Sequence, residues 1–230
     1  MLIDIAITLF CFEISPRCIS FGLTNTPIKN ARPLPLAGFV PGAGKRHAMS
    51  SFEQARRKLS KCLWVYVADT GRCGLGIFAA KPFQAGAIVM RDEDGDYYRN
   101  VLSYQQLRGS GYSLDITLQV GLDAFKLPNG SLDDFTNHSC DPNTGIRLTD
   151  RGTIVMALRD IAAHEELTYD YSTYLNNCYE SMHCLCGAAT CRGAVGNFDT
   201  LPAALRRRYL ALGIVGDFVD GPALTADVAD

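Results

Sequence analysis

Asn137-His138-Ser139-Cys140-Asp141-Pro142-Asn143 sets an amide, an imidazole, a hydroxyl, a thiol and a carboxylate beside a proline. A core strand would not carry so many polar groups, because each needs a hydrogen-bond partner once buried. A plain surface loop has no need of the thiol. The stretch therefore reads as a loop too polar for a core and too rich in thiol for a plain surface. The expectation that it binds a cofactor and lends one ligand to a metal depends on residues 166–171 and 184–191. Pro142 stops regular structure, while Ser139, Asp141 and Asn143 receive only a generic turn role.

Two distant pieces bear on that reading. Cys184-x-Cys186-x4-Cys191 puts three thiols within eight residues, with Gly187 and Gly193 freeing the backbone. Structural zinc takes four N/S ligands at tetrahedral geometry, so this cluster is one short. Cys140, Cys178 and His183 are candidates for the fourth. In Glu166-Leu167-Thr168-Tyr169-Asp170-Tyr171 the tyrosines are two residues apart and share one face of an extended segment. Taken alone, aromatic packing at a strand end accounts for them.

The chain of 230 residues, 47% apolar and 20% charged, supports one domain with a sizeable core. Its net charge of −2 is uneven: residues 1–48 carry +3 and the remainder −5. An acidic body argues against nucleic acid as the main partner and suits a basic peptide. Nine cysteines are an odd number in a chain that is not small, and their C-terminal clustering indicates metal in a reducing compartment.

Residues 1–48 differ in texture from the rest. Residues 2–12 are apolar apart from Asp4 and Thr8 but too short to span a bilayer, and they lack the positive start of a secretory signal. The expectation is a poorly structured or mis-annotated extension with Met49 as the start. A transit-type leader is the alternative.

From Leu63 the sequence reads as short strands. Leu63-Trp64-Val65-Tyr66-Val67 and Ile77-Phe78-Ala79-Ala80 flank a glycine-rich turn, and residues 87–90 make a third strand. Gly74-Leu75-Gly76 with Ala79 matches a dinucleotide fingerprint, but Pro82 blocks the helix such a site requires. The glycines still allow close backbone approach to a ligand. Asp92-Glu93-Asp94-Gly95-Asp96 fails as an EF-hand loop, since Tyr97 stands where glycine is needed, and predicts a solvated turn. Ser103 caps a short helix through Leu107, and residues 112–121 alternate like a strand. Asp150-Arg151-Gly152 joins a hairpin of residues 146–149 and 153–156. Leu201, Leu205, Tyr209 and Leu212 share one helical face, with Thr200 as N-cap and Gly213 as stop. The fold class is mainly β, a β-rich α+β domain.

Asn137-His138-Ser139-Cys140, then residues 166–171, then Cys184-Leu185-Cys186-Gly187 to Cys191, in this order, resemble the SET-domain protein-lysine methyltransferases with a post-SET segment. Gly74-Leu75-Gly76, Tyr112 and Leu122-Asp123-Ala124 fall where that family's other motifs lie. The resemblance covers roughly residues 60–196.

It implies several small sheets, with the two central motifs joined as a pseudoknot. The divisions are a catalytic domain over 60–173, a zinc-stapled segment over 178–196, and a C-terminal helix and tail over 197–230. S-adenosyl-L-methionine is the implied cofactor, bound by Gly74, Leu75, Gly76, Tyr112, Asn137, His138 and Tyr171, with Leu185 over the adenine. Cys140 joins Cys184, Cys186 and Cys191 as the fourth zinc ligand. Tyr171 is the implied catalytic tyrosine that orients the lysine amine. Tyr169 beside it favours monomethylation.

Many relatives carry arginine just before the Asn-His-Ser-Cys motif, where this chain has Leu132-Asp133-Asp134-Phe135-Thr136. The cysteine-rich pre-SET region is absent from this sequence. The substrate is expected to be a protein or peptide lysine, histone or non-histone, and the enzyme a monomer without membrane or direct nucleic-acid partners. Its setting is cytoplasmic or nuclear, or organellar if residues 1–48 are a real leader. Two other readings stand beside this one: a catalytically idle SET-like peptide-recognition module, and a zinc-stapled interaction protein unrelated to methyl transfer.

Overall fold

The computed structural model describes residues 62–219, apart from 73, 94, 96, 113 and 177–180. The expected N-terminal extension and the candidate ligand Cys178 lie outside the described residues.

Alternation of apolar side chains and glycine-rich turns produces short strands in five small sheets among the described residues. The largest contacts run through β3 (Ile88–Glu93), β9 (Gly152–Ala157) and β8 (Thr144–Thr149), an antiparallel three-stranded sheet. β8 and β9 form the expected hairpin, with Thr149 opposite Gly152 across the Asp150-Arg151 turn. The Tyr98 hydroxyl donates to the Thr149 carbonyl at 2.5 Å and closes that end. β1 (Val65–Asp69) and β2 (Leu75–Ala79) form a second hairpin. β4 (Val101–Leu102), β6 (Ala124–Lys126) and β5 (Leu118–Gly121) form a third sheet. Val65, Ile77, Val89, Ile146, Val155 and Leu167 bury the inner faces of these layers in one core.

Ser103 caps α1 (Tyr104–Ser110) in a full capping box, its side chain taking the Gln106 N–H while the Gln106 side chain takes the Ser103 N–H. The strand expected over 112–121 begins only at Leu118. A 3-10 turn, Leu114–Ile116, precedes it because the Thr117 N–H and hydroxyl both donate to the Leu114 carbonyl. The solvated-turn reading of residues 92–96 fails for Asp92. That side chain is buried in β3, and one carboxylate oxygen takes the Leu132 N–H at 2.7 Å.

Near the C-terminus α2 (Ala203–Leu212) starts after Pro202, not Thr200. The Thr200 hydroxyl is already committed to the Asn197 carbonyl at 2.6 Å, inside a 3-10 turn. Gly213 ends the helix in the left-handed conformation at φ 62°. Leu201, Tyr209 and Ile214 bury this region in a core of its own with Phe198.

Candidate active site and metal centre

The polar loop and the tyrosine segment meet as neighbouring strands. β7 (Asn137–His138) lies parallel to β10 (Thr168–Tyr169), with Asn137 opposite Thr168 and His138 opposite Tyr169. On its other side the segment pairs with β2: Glu166 bridges to Phe78, and the Leu167 N–H donates to the Ile77 carbonyl at 2.8 Å. Residues 166–171 are therefore threaded between the glycine hairpin and the Asn137 loop.

Asn137 donates from Nδ2 to Glu166 Oε1 at 2.8 Å and to the Leu75 carbonyl at 3.2 Å. It thus ties three motifs together. Gly76 makes room for this junction. A Cβ there would lie 2.6 Å from Thr70, 2.8 Å from Glu166 and 3.0 Å from Asn137. Gly74 serves the turn itself, at φ 75°. Leu75 and Leu185 are large apolar side chains left exposed.

Tyr171 is fixed at three points. Its N–H donates to His138 Nδ1 at 3.2 Å, its hydroxyl donates to the Thr136 carbonyl at 3.0 Å, and its ring lies 4.8 Å from that of Tyr169. Burial, then the nearby Glu166 carboxylate, pushes the phenol well above its ordinary range, so it stays protonated. Tyr169 and Tyr171 line a cavity of about 80 Å³ with Thr136, Gln119, Asp133 and Met182.

His138 faces the thiols. Burial pushes the imidazole down to about 4, against the pull of Asp170, so it is neutral at physiological pH. Because Nδ1 accepts from Tyr171, Nε2 carries the hydrogen and points at Cys140 Sγ, 3.4 Å away. The side chain therefore links the tyrosine to the sulfur cluster.

The sulfur atoms of Cys140, Cys184, Cys186 and Cys191 all lie within 4.8 Å of one another, and those of Cys140 and Cys184 are 3.7 Å apart. Tetrahedral zinc at about 2.3 Å from each sulfur spaces its ligands by about 3.8 Å, so the cluster fits the ion. Backbone N–H groups of Cys140, Cys186, Arg192 and Gly193 each point at one of these sulfurs at 3.4–3.5 Å. Such donors favour thiolates over thiols. Burial, joined by the nearby Cys186 sulfur, pushes Cys140 up to about 11 against the pull of Arg192 and Cys184, so without a cation the thiol stays neutral. His183, the other described candidate, is outside this group and exposed.

Residues 74–172 match the SET domain family model. Over these residues the chain carries a SET domain. Among its relatives are the Arabidopsis thaliana histone-lysine N-methyltransferase ATX2, 35% identical over 56% of this chain and 13% of the relative. A Saccharomyces cerevisiae histone-lysine N-methyltransferase named as H3 lysine-4 specific is 41% identical over 37% of this chain and 8% of the relative. The methyltransferase domain of human SETMAR superposes with a TM-score of 0.45 at 23% identity, covering 58% of each chain. The chain spans about one-eighth or less of the length of these two curated relatives.

Several residues that hold the SET domain's site together carried no distinctive mark in the sequence. Asn143, read as a generic turn residue, is a buried clasp. It donates to the Glu165 carboxylate at 2.9 Å and the Glu166 carbonyl at 2.7 Å, and it accepts the Thr168 N–H at 2.9 Å. Its amide thus anchors the first half of the threaded segment. Asp170 is buried between His138, Tyr209 of α2 and Arg192 beside the thiols. Arg72, in the β1–β2 turn, donates to the Cys186 carbonyl at 2.6 Å and to Glu166 at 2.8 Å. It ties the glycine hairpin to the clustered cysteines. A proline after Asp141 and a carboxylate between two tyrosines are the only local signals for Asn143 and Asp170.

Tyr112 stands apart from this group. It is exposed, and its N–H bonds to Ser110 Oγ at 3.2 Å. Among the described residues, no bond joins it to Asn137, His138 or Tyr171.

Among the described residues, no helix is long and apolar enough to cross a membrane.

Proposed function

We propose that this SET domain transfers a methyl group from S-adenosyl-L-methionine to the ε-amine of a lysine in a protein substrate. The carrying observation is Tyr171, held by His138 and Thr136 and packed on Tyr169 at the wall of a cavity. The residues that would hold the cofactor are Gly74, Leu75, Gly76, Asn137, His138, Tyr171 and Leu185, with Tyr112 closing from the α1 side. The exposed apolar side chains of Leu75 and Leu185 suit contact with its adenosine. Bound there, S-adenosyl-L-methionine supplies a methyl already activated on a sulfonium.

The protein's task is then alignment and an uncharged amine. Lysine has an unperturbed pKa near ~10.4, so a cavity that excludes water favours loss of its proton. The Tyr171 hydroxyl, a fixed and protonated phenol, orients the nitrogen for in-line attack without a covalent enzyme intermediate. Tyr169 narrows the same cavity, which favours one methyl over three.

The substrate class we propose is a basic histone tail, with the H3 N-terminus as the leading case. The H3 lysine-4 specificity in the name of the yeast relative and the net charge of −5 outside residues 1–48 support it. A nuclear setting follows from that proposal. Zinc held by the four cysteines would staple the segment that carries Leu185.

The test is incubation of the purified protein with labelled cofactor and H3 tail peptides, followed by mass spectrometry. Monomethyllysine is the expected product. Trimethyllysine as the main product would overturn the role given to Tyr169, and absence of transfer to any lysine would overturn the activity.

A further inference from the structure

The Asp133-Asp134 pair that stands before the Asn-His-Ser-Cys motif lies at the wall of the Tyr171 cavity. Its chemistry is not used by the mechanism above. Lys126 is buried beside it, 2.7 Å from Asp134 Oδ1 and 3.9 Å from Asp133 Oδ2. Burial works against the ammonium, but the two carboxylates outweigh it and hold Lys126 charged. The Tyr97 hydroxyl donates to Asp133 Oδ2 at 2.5 Å. Asp134 Oδ2 is occupied by the N–H groups of Asn129, Gly130 and Ser131.

One oxygen is left over. Asp133 Oδ1 is buried with no hydrogen-bond partner among the described residues, and so is the hydroxyl of Thr136, three residues on. Both residues line the cavity that Tyr169 and Tyr171 line. A buried polar atom without a partner costs about 1–3 kcal/mol, so two at one cavity point to a missing occupant that can hydrogen-bond. Both atoms can accept a hydrogen bond, so the occupant must be able to donate one. Burial pushes the Asp133 carboxyl above its ordinary range against the pull of Lys126. The volume of about 80 Å³ exceeds the ~10–15 Å³ a single water needs and admits an alkylammonium head.

We propose that Asp133, seconded by Thr136, is a specificity-determining residue that recognises the incoming lysine by its hydrogen-bearing ε-nitrogen. This rests on the proposed methyl transfer to lysine and adds how the acceptor side chain is selected. Asp133 Oδ1 accepts from an N–H of the ε-nitrogen, charged or uncharged, when the side chain is captured. A primary, monomethyl or dimethyl ammonium can donate to it, whereas a trimethylammonium and an isosteric alkyl chain cannot. Lys126 and Tyr97 hold the other oxygen, so Oδ1 is presented without loss of side-chain freedom on binding.

The experiment compares binding of two H3 N-terminal peptides, one with lysine and one with norleucine at residue 4, by calorimetry. A hydrogen bond to a charged group corresponds to a preference of about 10- to 100-fold for lysine in the wild type. Asp133→Asn should bring that preference to within about twofold and leave norleucine-peptide affinity unchanged. Thr136→Val, which keeps the β-branched shape, should lower it several-fold and stands in if Asp133→Asn does not fold. A wild-type protein that does not discriminate, or a preference that survives in the folded variant, overturns the inference while leaving methyl transfer standing. If neither peptide binds the wild type, the H3 acceptor reading fails, and this inference fails with it.

Discussion

Both outer nitrogens of Arg192 reach the Asp170 carboxylate at 2.8 Å, joining the residue before Tyr171 to the residue after Cys191. Asp170 is buried and also accepts from Tyr209 of α2 at 3.1 Å. The N–H of the same Arg192 points at Cys140 Sγ. One ion pair therefore couples the tyrosine segment, the C-terminal helix and the metal centre.

Arg192→Gln would leave the Asp170 carboxylate buried and without its cation. Removing one partner of a buried pair costs about 3–5 kcal/mol. A large fall in Tm is expected by calorimetry, with faster release of zinc to a chelator. An unchanged Tm would mean that Tyr209 and Ser172 alone satisfy the carboxylate.

Much of this was legible in the sequence for a physical reason. Thiol spacing, the glycine turn and the tyrosine pair are local patterns, and the Asp150-Arg151-Gly152 hairpin follows from turn chemistry. The partners of Asn143, Asp170 and Arg72 are set by threading residues 166–171 between β2 and β7, and no periodicity encodes that crossing. Asp92 was misread for the same reason. A carboxylate in an acidic run is ordinarily solvated, but here the distant Leu132 N–H supplies a buried partner.

Gly76→Ala tests the junction of motifs directly. The added methyl would sit within 3.0 Å of Thr70, Glu166 and Asn137, closer than real side chains come. Relief must move Asn137 or Glu166, at an overpacking cost of about 1–3 kcal/mol. S-adenosyl-L-methionine affinity, read by calorimetry, should fall at least tenfold, well beyond what the loss in Tm predicts. Wild-type affinity in this variant would remove the Gly76–Asn137 junction from the cofactor site.

Tyr171→Phe keeps the ring packed on Tyr169 and His138 but removes the hydroxyl that donates to the Thr136 carbonyl. Stability should fall by about 1 kcal/mol. If the hydroxyl orients the reacting amine, kcat should fall by a factor of about 10²–10³ with little change in cofactor affinity. Tyr169→Phe, by contrast, should retain turnover and raise the di- and trimethyl fractions seen by mass spectrometry. A drop in cofactor affinity equal to the drop in kcat for Tyr171→Phe would reassign that residue to binding.

Removal of metal should damage both halves of the Asn137 loop, because Cys140 and His138 are two residues apart and the His138 ring bridges Cys140 to the Tyr171 N–H. Metal analysis should find one zinc per chain. Cys186→Ser deletes one ligand of the four and releases the neighbouring Cys186 carbonyl that Arg72 holds against the glycine hairpin. Zinc content should fall, Tm should fall, and S-adenosyl-L-methionine affinity should weaken along with them. Arg72→Met leaves the thiols intact while cutting the same tether, so it should weaken cofactor binding at full zinc occupancy. If Cys186→Ser lost its zinc yet bound the cofactor normally, the metal would be a staple for the C-terminal region alone, and Leu185 would have no part in covering the ligand.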